Sequence, residues 1–298
     1  MPPTGVLLCV SSAAAFGAMG IFGKLAYGEG ATVGTLLATR FALAAVLFWI
    51  LLVCTGGARA LRGLSRRDLG LAIALGAVGY GAQAGCYFAA LDRLDASLLA
   101  LVLYTFPTMV TVAAIALGRE RASVRTTLAL TLASTGLVLV LAGAAAGALD
   151  PLGTGLGLTA AVVYTTYILV SDGVAARVEP VALSTLVCSG AAVSLTLVGL
   201  ADGDLQPGGV SAMGFLWLAG IAVVSTVGAI ALFFAGLRRV GPSATSILST
   251  VEPVVTVALA FVVFGESLGP AQLAGGALVL AAVVAINAPT RRPVAATA

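Results

Sequence analysis

Glu252 stands in the middle of an apolar run, STVEPVVTVAL from Ser249 to Leu259, with Pro253 immediately behind it. Removing an ionised carboxylate from water is costly in a protein core and in lipid alike. Loss of solvent favours the neutral acid. A carboxyl group here therefore suits one of two tasks, carrying a proton or receiving the ammonium group of a ligand. Pro253 has no backbone N–H and leaves a carbonyl one turn earlier unpaired, which loosens the helix beside the acid. The plain alternative is structural, with Glu252 capping the freed backbone or pairing with a neighbour. Ionisable groups at such depth are functional candidates by default.

The remaining polar groups within apolar sequence fall on helical faces. Lys24 follows Ser12, Phe16 and Gly20 at intervals of four, so the four share one face. Its ammonium either snorkels to the membrane surface or meets a substrate carboxylate, and the small Gly20 admits a close neighbour. Arg40 lies deeper than easy snorkelling permits and calls for an acidic or carbonyl partner, more in a structural than in a ligand-binding role. Gly76, Tyr80, Gln83 and Tyr87, spaced four, three and four, align as a wall suited to a small polar molecule. The rival reading of Gln83 is a helix–helix hydrogen bond. Tyr164, Tyr167 and Ser171 share a face, as do Tyr104 with Thr108, and Ser249 with Glu252 and Thr256. Ser225 and Thr226 add hydroxyls further on. Membrane-helix hydroxyls often bond only to their own backbone carbonyls. Together, though, these faces could surround one polar cavity.

The elements that must position these groups are membrane helices. Of the 298 residues, 60% are hydrophobic and 9% charged, with a mean hydropathy of +1.12, against about 25% charged in soluble domains. Charged and Gly/Pro-rich breaks divide the chain into ten apolar segments, 5–27, 32–54, 69–90, 97–118, 124–143, 153–171, 180–200, 211–236, 243–264 and 268–288. Most reach the roughly 20 residues a bilayer requires. Runs this continuous do not alternate as barrel strands do, so the fold class is an all-α membrane protein. With the N-terminus in the cytoplasm, twelve of the fifteen basic residues fall on inner loops and the tail, and only Arg93 on an outer loop. That bias places both termini in the cytoplasm. The N-terminus lacks a basic leader and a small-residue cleavage site, so the first segment reads as a retained helix.

Absences narrow the chemistry. There is no histidine, which removes imidazole metal sites, Ser-His-Asp triads and histidine proton relays together. The cysteines, Cys9, Cys54, Cys86 and Cys188, are scattered singly and read as small hydrophobes. No phosphate-binding loop pattern occurs, and no basic run interleaved with aromatics suggests nucleic acid. No catalytic residue, metal or cofactor is expected, and the energy source is an ion or substrate gradient.

The chain also repeats itself. Shifted by 146 residues, YFAALDRLDASLLALVLYTFPTMV…GRE (Tyr87 to Glu120) lands on FFAGLRRVGPSATSILSTVEPVVT…FGE (Phe233 to Glu266). Ser97 meets Ser243, Pro107 meets Pro253 and Glu120 meets Glu266, whereas Glu252 meets Phe106. The two closing glutamates suggest caps for the next helix. Repeats of five helices each put the second copy into the membrane from the opposite side, and such inverted pairs hold their binding site between the halves. The boundaries are 1–148 and 149–290, followed by a tail at 291–298.

FGAMGIFGKLA (16–26), TRFALAA (39–45), the YFAALDRLDASLLALVLYTFPTMV stretch and ILSTVEPVVTVALAFVVFGESLGPAQLAGGALVLAAV together resemble the EamA type of the drug/metabolite transporter superfamily. The resemblance implies ten transmembrane helices in two EamA repeats, a central cavity reached from alternate sides, and frequently export of amino acids or other small metabolites. It also implies that helices five and ten are peripheral. The expectation is thus a secondary-active transporter in the plasma membrane, working as a monomer and exporting zwitterions, with coupling to protons. Cationic drugs are the alternative cargo. A passive channel or a membrane enzyme is the alternative class. On this reading Glu252, Lys24, Tyr80, Gln83, Tyr87, Tyr104, Tyr164, Tyr167 and Ser249 bind or couple, and Pro107, Pro253, Arg40 and Gly20 are hinge or structural positions.

Overall fold

The structure, a computed structural model, describes residues 3–118, 124–145, 150–175, 177–240, 248–249 and 251–287. Among them all regular structure is helical. Seven helices are long and apolar enough to cross a membrane: α1 Pro3–Gly28, α2 Val33–Cys54, α3 Arg66–Leu91, α4 Ala96–Ala116, α6 Pro151–Ser171 (continuing to Ala175), α7 Pro180–Ala201 and α8 Ala212–Gly236. Three further apolar helices are α5 Val124–Ala145, with its apolar stretch at Thr127–Val140, α9 Val251–Phe264 and α10 Pro270–Asn287. The start of the ninth expected segment and Glu120 lie outside the described residues.

Local chemistry sets the helix ends. The Thr32 hydroxyl accepts from the Thr35 N–H at 3.1 Å at the start of α2, and the Ser211 hydroxyl from Gly214 N–H at 3.0 Å at the start of α8. Glu179 caps α7 through Ala182 N–H at 2.9 Å, with Pro180 in the first turn where a missing N–H costs nothing. Asp150 accepts from Leu152 and Gly153 N–H, both at 2.9 Å, before α6. Gly203 and Gly265 adopt φ of 70° and 69° just past α7 and α9, a left-handed stop that a Cβ would strain.

Irregularities recur at repeat-related places. A π-helical segment, Leu75–Tyr80, interrupts α3, and another, Ile221–Gly228, interrupts α8; their first residues are 146 apart. The α4 helix breaks at Tyr104 and Thr105, just before Pro107. A turn at Ser249 precedes α9 and Pro253. Backbone irregularity at membrane depth is tolerated where protein or a cavity surrounds it.

The halves interlock as images of each other. The pair α1–α8 mirrors α6–α3, α1–α9 mirrors α6–α4, and α2–α7, α4–α9 and α5–α10 pair across the divide. Small residues permit the closest crossings. The missing Cβ of Gly76 faces the Val187 carbonyl of α7, and that of Gly190 faces the Ile73 carbonyl of α3. Between them Phe41, Phe48, Phe88, Leu99, Leu218 and Ile221 are fully buried. Val46, Ile50, Val53, Leu197 and Val262 remain exposed, as side chains solvated by lipid do. The helices α5 and α10 pack mainly on each other, at the periphery.

Gly76→Ala and Gly190→Ala should each lower the thermal unfolding temperature of the purified protein, by about 1–3 kcal/mol of overpacking or more. Gly155→Ala, whose Cβ would meet nothing within 4 Å, should leave that temperature unchanged or raised.

Candidate functional site

Arg40 is 1% exposed and sits where the two π-helical segments approach each other. Its Nε donates to the Thr226 hydroxyl at 3.1 Å and its Nη2 to the Tyr80 hydroxyl at 3.3 Å. Thr226 and Tyr80 are repeat mates, so one guanidinium bonds the same position of both halves. The cation also lies 4.7 Å from the Phe41 ring centroid, 5.4 Å from Phe88 and 5.9 Å from Tyr80. The expectation of an acidic or carbonyl partner is corrected. Among the described residues its partners are hydroxyls and ring faces, which neutralise no charge but satisfy donors and attract a cation through the ring quadrupole.

Glu252 lies in the first turn of α9 and is half-buried. Its backbone carbonyl rests against Gly17, where an added Cβ would come within 2.7 Å, and the Thr256 hydroxyl donates to Gly17 and Glu252 carbonyls at 2.9 and 3.1 Å. These contacts fasten α9 to α1. Tyr104 donates to the Ser249 carbonyl, spanning the broken ends of α4 and α9. Gly20 leaves room for the Tyr87 hydroxyl, 3.1 Å from where a Cβ would stand.

The tyrosines form a ladder. Phe106 packs on Tyr164 with centroids 4.5 Å apart, Tyr164 stacks on Tyr167 at 6.2 Å, Tyr167 on Tyr80 at 5.7 Å, and Tyr80 meets Phe41 edge-on at 5.2 Å. This ladder walls a cavity of about 310 Å³ that also touches Phe16, Ser184, Cys188 and Phe233, at the small end of ligand pockets, roughly 300–1,000 Å³. Gln83 is buried on α3 and donates no hydrogen bond to a described residue, so the helix–helix reading of its amide finds no support. A larger cavity, about 470 Å³ between α4, α5 and α6, is lined by hydrocarbon and threonines with no ionisable side chain. The smaller one has three tyrosines in its wall, and one of them, Tyr80, is bonded by Arg40.

Lys24 is elsewhere. Its ammonium pairs with Glu266 at 3.0 Å and Asp95 at 3.6 Å, at the far end of α1. Glu266, with 8% of its side chain accessible, also accepts from Ala96 N–H at 3.2 Å and from Ser97 N–H and hydroxyl at 3.0 and 2.9 Å. The acid expected to cap the next helix instead caps α4 of the other half. Two hundred and forty-two residues separate Lys24 from Glu266, and helical spacing carries no signal for such a pair. At the opposite end, Arg177 binds Asp68 at 2.8 Å, tying α6 to α3.

The sequence profile of the EamA-like transporter family matches residues 3–142 and again residues 151–288. The chain belongs to the EamA-like transporter family. It is 30% identical over 203 residues to an uncharacterized transporter of Archaeoglobus fulgidus, covering 66% of this chain and 69% of that one. It is 26% identical over 277 residues to the uncharacterized transporter YcbK of Bacillus subtilis, covering 91% and 88%. A solved crystal structure superposes with a TM-score of 0.65 at 18% identity over 96% of this chain and 97% of that one, which supports the fold. This EamA protein is accordingly a multi-pass membrane transporter.

In this EamA protein the Lys24 cluster has a pH signature. Burial works against ionisation of Glu266, but the Ser97 N–H, the Lys24 ammonium and the Ser97 hydroxyl outweigh it and hold the carboxyl below its ordinary 4.5. A depressed acid stabilises fully above its unfolded value and loses that contribution as pH falls through the folded one. Glu266→Gln should therefore cost about 2–4 kcal/mol at neutral pH. The gap in unfolding temperature from wild type should close as pH drops below 4.5.

Proposed function

We propose that this protein is a secondary-active exporter of amino acids or similar zwitterionic metabolites, working by alternating access between two inverted halves, 1–148 and 149–290. On this reading ten helices cross the cytoplasmic membrane with both termini inside, a monomer encloses its own cavity, and protons drive the cycle. The observation that carries it is Glu252, an acid in the first turn of a membrane helix beside Pro253, where α9 meets α1 and α4. A group so placed binds a proton and a ligand ammonium in alternation, which is how a carrier couples one flux to another. The cavity reaches Ser184 and Phe233 toward the Arg177 end, while the Lys24–Glu266 pair closes the other. With positive charges inside, that arrangement is the inward-facing state of such a cycle. Tyr104, Tyr164, Tyr167, Tyr80, Tyr87, Gln83 and Ser249 form the ligand's surroundings, and the Pro107 and Pro253 breaks are the hinges. A second reading, organic cations such as drugs, is favoured by the ring faces of the ladder, which attract positive charge.

Glu252→Gln, reconstituted in liposomes, should lose coupled movement of labelled amino acids by about a hundredfold, the scale of a lost charge-assisted contact, with its unfolding temperature unchanged. Flux at the wild-type rate in that variant would end the assignment.

A further inference from the structure

Resting on that reading, we infer that Arg40, and not Lys24, receives the carboxylate of the zwitterion whose ammonium meets Glu252. Arginine has five N–H donors. Here Nε and Nη2 are engaged by neutral hydroxyls, and Nη1 donates to no described residue. No described carboxylate lies within ion-pair distance of it. A cation withdrawn from water costs several kcal/mol, and ring faces offset much of that without supplying a counter-charge. A planar, bidentate anion supplies one, and a carboxylate matches the guanidinium fork.

Placement makes the anion part of the ligand. The Arg40 Nη2 donates to the Tyr80 hydroxyl at 3.3 Å. Tyr80 and Cys188 line the cavity. The guanidinium thus stands one side chain behind the cavity wall, with Tyr80 between. One guanidinium against one carboxyl balances a single carboxylate and leaves a phosphate dianion under-neutralised. Lys24 is already taken by Glu266 and Asp95. Because Arg40 bonds both π-helical segments, a carboxylate seated on it would also be felt by both halves at once.

The test compares flux, in proteoliposomes, of a labelled pool of amino acids with that of the matching pool of decarboxylated amines. Wild type should favour the acids by at least about tenfold, the worth of one charge-assisted contact. Arg40→Gln should abolish that preference while still moving the amines, and Lys24→Gln should keep it. Equal movement of both pools by wild type overturns the carboxylate site and leaves the Glu252 reading standing. Loss of the preference in Lys24→Gln also overturns it, and decides the matter even where Arg40→Gln does not fold. Movement of neither pool by wild type removes the zwitterion reading, and this inference with it.

Discussion

A buried guanidinium, that of Arg40, stands at the centre of this protein. Hydrocarbon offers no compensation for an unpaired donor or an unscreened charge, so everything around Arg40 is arranged to supply it. Two helices leave regular geometry to bring Tyr80 and Thr226 to it, and three aromatic rings cover it. Each π-helical segment thus offers one hydroxyl to the same cation.

The backbone is nearly two-fold, whereas the chemistry is not. Each π-helical turn, each proline break and each inter-half packing pair has an image 146 residues away. Three charged side chains within the apolar spans have none. Arg40 corresponds to Leu186, Glu252 to Phe106 and Lys24 to Val170. Phe106 illustrates the division, since at the position of the acid it instead starts the aromatic ladder on Tyr164.

Most of the scaffold was legible in the residues. Apolar length marked the helices, the Pro107–Pro253 correspondence marked the repeat, and spacing put Tyr80 with Tyr87 and Tyr164 with Tyr167 on shared faces. What spacing leaves open is the partner of each group, because partners come from helices far apart in the chain. Depth alone calls for an acid or a carbonyl beside Arg40, which lies on hydroxyls and rings; it leaves Lys24 to the membrane surface or a ligand, and Glu266 holds it. Glu266 itself was assigned to its own next helix and caps α4 instead. The hydrophobic pattern records depth and face, whereas the identity of a neighbour across a helix interface is set by packing.

The measurement that bears most directly on the central claim is accumulation of labelled amino acids by the wild-type protein in liposomes under an imposed pH gradient. A carrier whose acid alternates between proton and ammonium should concentrate the label against its own gradient, and should release it when an uncoupler collapses the proton gradient. Equilibration of the label that is indifferent to pH would contradict the account, leaving Glu252 as an anchor in a passive pathway.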